Sequence, residues 1–297
     1  MSERTFTTRD GCRLAYVDEG EGMPVLWQHG LGADRQQPAE VFPEADGIRR
    51  ITLECRGHGV SELGDVNALS IAQFADDALE LLDHLKISRA VIGGISLGAA
   101  IALRLAALHA ERVVALVLAR PAWTEKDAPE SLQIYREVAS LLDEYGPAKG
   151  ASVFERSARL RAVERVSPDN AASMRGFFTR VTPESTIALL NRIPAQGPGI
   201  AEATIRQLDV AALVIANGED YVHSIETANT LADWIPHGAL RVITSKTVDR
   251  TRYVQEFRQA LQDFFGAMRK TQSNEAQERT SVSPPEFSSA SSVRNPV

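Results

Sequence analysis

The stretch Ala90–Ala100, AVIGGISLGAA, constrains the fold of this chain more than any other. Ala90 to Gly93 are small or branched and apolar, the pattern of a short buried strand. Gly94-Ile95-Ser96-Leu97-Gly98 then fits G-x-S-x-G, and an apolar, alanine-rich helix follows at once through Ala107. Strand, sharp turn and helix in succession force the middle residue into a strained backbone conformation, so its neighbours must be small. Gly94 and Gly98 supply that room. Ser96 is left with its hydroxyl above the carboxyl end of a sheet, and the Leu97 N–H, at a helix N-terminus, points where an oxyanion can form. A glycine-containing turn without chemistry is the bland alternative, and two further stretches weigh against it.

Arg4–Thr8 and Arg13–Asp18 alternate polar and apolar residues around Asp10-Gly11, an edge hairpin. Val25–Gln28 is a short buried strand that runs into His29-Gly30-Leu31-Gly32, a loop able to aim the Leu31 N–H as a second oxyanion donor. His29 reads as a residue that orients this loop. The strand Arg50–Leu53 leads into Glu54-Cys55-Arg56-Gly57-His58-Gly59-Val60-Ser61, a tight polar loop in which His58 reads as a brace. Ser70–Leu85 has the apolar spacing of an amphipathic helix capped by Ser70, with Asp76 and Asp77 assigned to its solvated face and His84 to the surface. Val113–Ala119 is a further apolar strand.

At Arg120-Pro121 the character changes. Polar helical segments broken at Gly146-Pro147, Ser167-Pro168 and Thr182-Pro183 predict a helical cap over residues 121–207, inserted above the strand ends. Strand, helix, strand and helix follow over Ala212–Asn217, Ile225–Trp234, Leu240–Thr244 and Arg252–Phe265. Residues 1–120 and 208–270 therefore read as the α/β core. The tail, residues 271–297, is rich in Ser, Pro, Gln and Glu and reads as disordered.

With 44% hydrophobic and 24% charged residues over 297 positions, the chain has an ordinary globular composition. A net charge of −7 with both signs interspersed disfavours nucleic acid and anionic membrane surfaces as partners, leaving a small-molecule substrate. Two cysteines and a polar beginning without an apolar run lead us to expect a cytoplasmic protein. The oligomeric state is open.

His29-Gly30-Leu31-Gly32, Arg56-Gly57-His58-Gly59 with Ser61, and Gly94-Ile95-Ser96-Leu97-Gly98, in that order, resemble the α/β-hydrolase family over roughly residues 5–268. The resemblance implies an eight-stranded, mostly parallel sheet flanked by helices, with Ser96 as nucleophile and Asp220, after the penultimate strand, as the triad acid. One departure is small: Glu54 stands where the family commonly has aspartate. The other concerns the base. The family's histidine lies in the loop after the last strand, and here Ser245-Lys246-Thr247-Val248-Asp249 contains none. Of the six histidines, His29 and His58 sit in structural loops, His84 and His109 at helix ends, and His237 before the last strand.

His223 remains, near Asp220 on the same rim. It is the candidate base, with Lys246 as a Ser–Lys alternative and a helix-start residue without chemistry as the bland one. Serine, base and amide donors suffice for acyl transfer, so no metal or organic cofactor is expected. The leading reading is hydrolysis of a small ester, lactone or related carbonyl compound. A capped pocket serving as a sensor or carrier, or a non-hydrolytic use such as carbon–carbon cleavage, stays open beside it. In the cap, Phe154, Phe177, Phe178 and Leu189 are candidate pocket residues, while Arg159, Arg161, Arg175 and Arg180 hint at an acidic substrate group.

Overall fold

A computed structural model describes residues 4–44 and 46–281. Its framework is one eight-stranded sheet. The strands β1 (Arg4–Thr7) and β2 (Arg13–Gly20) form an antiparallel hairpin at one edge, and β2 pairs antiparallel with β4 (Ile48–Leu53). All later pairings are parallel, through β3 (Met23–Gln28), β5 (Ala90–Ile95), β6 (Val113–Ala119), β7 (Ala212–Asn217) and β8 (Gly238–Ile243). The resulting order is β1-β2-β4-β3-β5-β6-β7-β8. Every residue of β5 and β7 is buried, which is why these strands read as unbroken apolar runs.

Each face of the sheet has its own core. On one, Trp27, Val91, Val117 and Ile215 pack against Phe257 and Phe265 of the closing helix α10 (Arg250–Ser281), beside Val41 of α1 (Gln36–Val41). On the other, Leu26, Ile92 and Leu116 meet α2 (Ile71–His84), α3 (Leu97–Leu108) and α9 (Ile225–Trp234). Ser70 caps α2 by accepting the Gln73 N–H at 2.9 Å, as its position before the apolar stripe predicts.

Between β6 and β7 the chain is helical: α4 (Gln133–Phe154), α5 (Ala158–Val166), α6 (Pro168–Gly176), α7 (Pro183–Arg192) and α8 (Glu202–Ile205). The proline breaks fall at the starts of α6 and α7, where the missing N–H costs nothing. Gly146 instead kinks α4, with φ of +71°. Trp123 and Gln196 tie the insertion down: the indole N–H donates to the Gln196 carbonyl at 2.7 Å, and the Gln196 amide donates to Leu69 O at 3.2 Å.

Several boundaries and one burial differ from the sequence reading. The short helix α1 was not foreseen, and β4 begins at Ile48 rather than Arg50. The helix α10 extends through Ser281 into the stretch expected to be disordered, while residues 282–297 lie outside the described ones. Asp77 is fully buried, not solvated. It lies three positions after Phe74 on the apolar face of α2, and the Arg56 guanidinium grips it with Nε and Nη2 at 2.8 and 2.7 Å. Asp76, its neighbour, is exposed as expected.

Candidate active site

The turn between β5 and α3 brings Ser96 to φ of +56°, a left-handed conformation that a side chain rarely adopts. Two close approaches hold it there. A Cβ on Gly98 would lie 2.5 Å from the Gln28 carbonyl oxygen, and one on Gly94 would lie 2.7 Å from the same atom. Only glycine fits at either position. The Ser96 N–H donates to Ala119 O at 2.9 Å, locking the turn onto β6.

His223 meets this serine. Its Nε2 lies 2.9 Å from Ser96 Oγ, and its Nδ1 lies 2.9 and 3.0 Å from the two oxygens of Asp220. A carboxylate only accepts, so Nδ1 carries the proton and Nε2 is left as the acceptor for the serine hydroxyl. Acid and base sit three residues apart on the loop after β7, and the same carboxylate accepts the Val222 and His223 N–H groups at 3.2 and 3.1 Å. That loop is also held from the insertion: Asn170 accepts the Val222 N–H at 3.0 Å, and the Ser131 hydroxyl donates to Val222 O at 3.0 Å.

Arg120, directly after β6, donates to Asp220 Oδ2 through Nε at 2.8 Å and Nη2 at 2.6 Å. Burial alone would push the Asp220 carboxyl up, but Arg120 and then His223 outweigh it and hold the group far below the carboxylate range. Burial presses the His223 imidazole below its ordinary value; Asp220 opposes this and Arg120 reinforces it. The ring is therefore neutral near neutral pH, the form in which it can take a proton.

Leu31 lines the same cavity as Ser96, Leu97 follows the serine directly, and the N–H groups of both find no acceptor among the described residues. Leu97 opens α3, so its amide has no intrahelical partner. The loop carrying Leu31 is braced by both buried histidines. His58 Nε2 accepts the Gly32 N–H at 2.9 Å while its Nδ1 faces Arg56 O at 3.0 Å. His29 Nε2 accepts the Cys55 N–H at 3.0 Å while its Nδ1 faces Gly30 O at 2.9 Å. Burial pushes His29 down to about 4 and His58 well below its ordinary value, so both braces are neutral.

A cavity of about 310 Å³ opens over Ser96 and His223, walled by Leu31, Tyr135, Phe177 and Arg180 among others. A second of about 350 Å³ shares Gly32, Ala33, Phe177 and Arg180 with it and reaches Leu189. Of the cap residues singled out in the sequence, Phe177, Leu189 and Arg180 line these spaces. Phe154 and Phe178 instead stack on each other, with ring centres 5.3 Å apart. Arg175 is bound to Glu155 and Glu164, Arg159 to Glu130 and Glu137, and Arg161 to the Arg156 carbonyl. Lys246 lines the first cavity but makes no hydrogen bond to Ser96; that position is filled by His223. Arg120 and Asn170 were missed in the sequence. A charged residue ending an otherwise apolar strand was the one signal for Arg120.

The family model for the alpha/beta hydrolase fold matches residues 23–148. Among curated proteins, a 2-hydroxymuconate semialdehyde hydrolase of Pseudomonas sp. (strain CF600) is 31% identical over 243 residues, 78% of this chain and 82% of the relative. The 3-oxoadipate enol-lactonase 2 of Acinetobacter baylyi is 27% identical over 87% of this chain and 94% of its own length. Among solved structures, a thermophilic esterase from Thermogutta terrifontis superposes with a TM-score of 0.71 at 23% identity, over 90% of this chain and 99% of that one.

Proposed function

The chain belongs to the α/β-hydrolase fold family and is a hydrolase, and on that premise we propose that it cleaves small esters, lactones or related carbonyl compounds through a Ser96 acyl-enzyme. The observation that carries this reading is the 2.9 Å approach of His223 Nε2 to Ser96 Oγ, with Nδ1 on Asp220. As a substrate carbonyl settles against the Leu31 and Leu97 amides, Ser96 Oγ attacks it and His223 takes the hydroxyl proton. The charge that develops on the carbonyl oxygen falls to the two N–H groups, each worth roughly 3 kcal/mol in the barrier. His223 then passes its proton to the leaving oxygen. Water attacks the acyl-enzyme with the same imidazole as base, and Ser96 is regenerated. Asp220 stays ionised throughout, because Arg120 and two backbone N–H groups hold it so.

Helices α4 to α7 act in this reading as the cap that excludes water and shapes the substrate. Enol-lactone and esterase activities are named for relatives of similar length, which favours acyl transfer over a carrier role. Fluorophosphonate labelling read by intact mass, with p-nitrophenyl ester turnover beside it, tests the assignment. Wild type should label and turn over, while Ser96→Ala and His223→Ala should do neither. Labelling of His223→Ala at the wild-type rate would remove His223 from the mechanism.

A further inference from the structure

Lys246 is a cation that the reaction described above leaves without a task. It stands in the loop after β8, its side chain is only 17% exposed, and it lines the Ser96 cavity. Its pairing within the protein is poor. Glu40 Oε2 lies 3.7 Å from Nζ, beyond a hydrogen bond, while Oε1 of the same carboxylate accepts both Nε and Nη2 of Arg250 at 3.1 and 2.7 Å. The ring of Tyr253 lies under Nζ at 5.1 Å, and among the described residues Glu40 is the one carboxylate at ion-pair distance from the ammonium. An ammonium covered to this extent carries a free-energy cost unless its donors reach acceptors. The residue lines the cavity and its side chain keeps some exposure, so a ligand there can supply further acceptors.

The other charges on the wall sharpen the case. Arg120 is neutralised by Asp220. Arg180 bonds to the Gly32 carbonyl and stacks on Phe177, with no carboxylate at ion-pair distance among the described residues. Asp169 adds one negative charge to the wall without pairing with either cation.

We propose that Lys246 binds a carboxylate carried by the substrate at a distance from the scissile carbonyl, with Arg180 as a second cation on the same wall. This deepens the hydrolase reading and rests on it. Substrates are then ester or lactone acids rather than neutral esters, and Lys246 is the residue that selects them. The bound carboxylate offers the ammonium closer acceptors than the 3.7 Å approach of Glu40, which Arg250 shares, in a site too covered for salt to screen fully.

The test uses Ser96→Ala, which binds but cannot acylate, and the probes monomethyl adipate and its neutral counterpart dimethyl adipate, titrated by ligand-observed NMR. The monoanion should bind about tenfold more tightly. Adding Lys246→Met should remove most of the preference, leaving what Arg180 supplies, and Lys246→Arg, which keeps the charge, should retain most of it. Equal affinities in the Ser96→Ala background, no binding of the anion, or a preference undiminished by Lys246→Met overturns the proposal. Fluorophosphonate labelling of the wild type reports separately on the hydrolase reading, so failure of either is told apart from failure of the other.

Discussion

Replacing Arg120 with methionine is the perturbation whose outcome the site geometry defines most closely. The guanidinium and the His223 ring approach the same Asp220 carboxylate, one through Nη2 at 2.6 Å and the other through Nδ1 at 2.9 Å. Positive charges on either side of a shared carboxylate lie about 6 Å apart, so at an effective dielectric near 20 their repulsion is about 2–3 kcal/mol, or about two pH units. Removing Arg120 lifts that repulsion and leaves the full charge of Asp220 to His223, so the imidazole pKa rises. The proposed mechanism needs the neutral ring. The acidic limb of kcat/KM for a p-nitrophenyl ester must therefore move to higher pH, by up to about two units. Losing one partner of a buried ion pair also costs about 3–5 kcal/mol of stability, which denaturant unfolding will read. Arg120→Lys keeps the charge and should shift the limb far less. An acidic limb that stays in place or moves to lower pH in a folded variant would refute the electrostatic coupling.

Three further outcomes follow from the same contacts. Gly98→Ala places a methyl group 2.5 Å from the Gln28 carbonyl oxygen, so unfolding should show a loss of about 2 kcal/mol or more, with fluorophosphonate labelling of Ser96 slowed. His58→Ala removes the acceptor of the Gly32 N–H; kcat should fall about tenfold to a hundredfold with KM little changed, and His58→Gln should recover part of it. His29 titrates at about 4 when folded and near its ordinary 6.5 when unfolded. Its contribution is complete above that ordinary value and is lost as pH falls toward the folded one, so Tm should drop over this interval, by about 3 kcal/mol in stability from this group.

The elements that determine the catalytic frame were legible because local chemistry dictates them. Gly94 and Gly98 are required by a backbone approach that no side chain survives, and the fully buried strands announce themselves as apolar runs. His223 was reached by eliminating the other histidines, since nothing in the spacing of Asp220 and His223 states that the ring turns toward Ser96. What escaped was tertiary. Asp77 looks like any helix aspartate until Arg56 arrives from a loop distant in sequence, and only the fold makes that pair. Arg120 likewise meets Asp220 from 100 positions away in the sequence. Of four arginines credited with a hint of anion binding, three answer to carboxylates or a carbonyl on neighbouring segments of the helical insertion, partners that only the packing of those segments supplies.

Placing Asp220 and His223 on one short turn changes what their alignment depends on. Where acid and base arrive on separate loops, their distance inherits the jitter of both. Here a tether of two residues sets it, and the carboxylate is clasped by the backbone amides of that same turn. No reacting atom of the proposed relay hangs from the exposed segment near Val248. The stretch that follows β8 is thereby released to diversify what the pocket admits, while the relay beside Ser96 keeps its register.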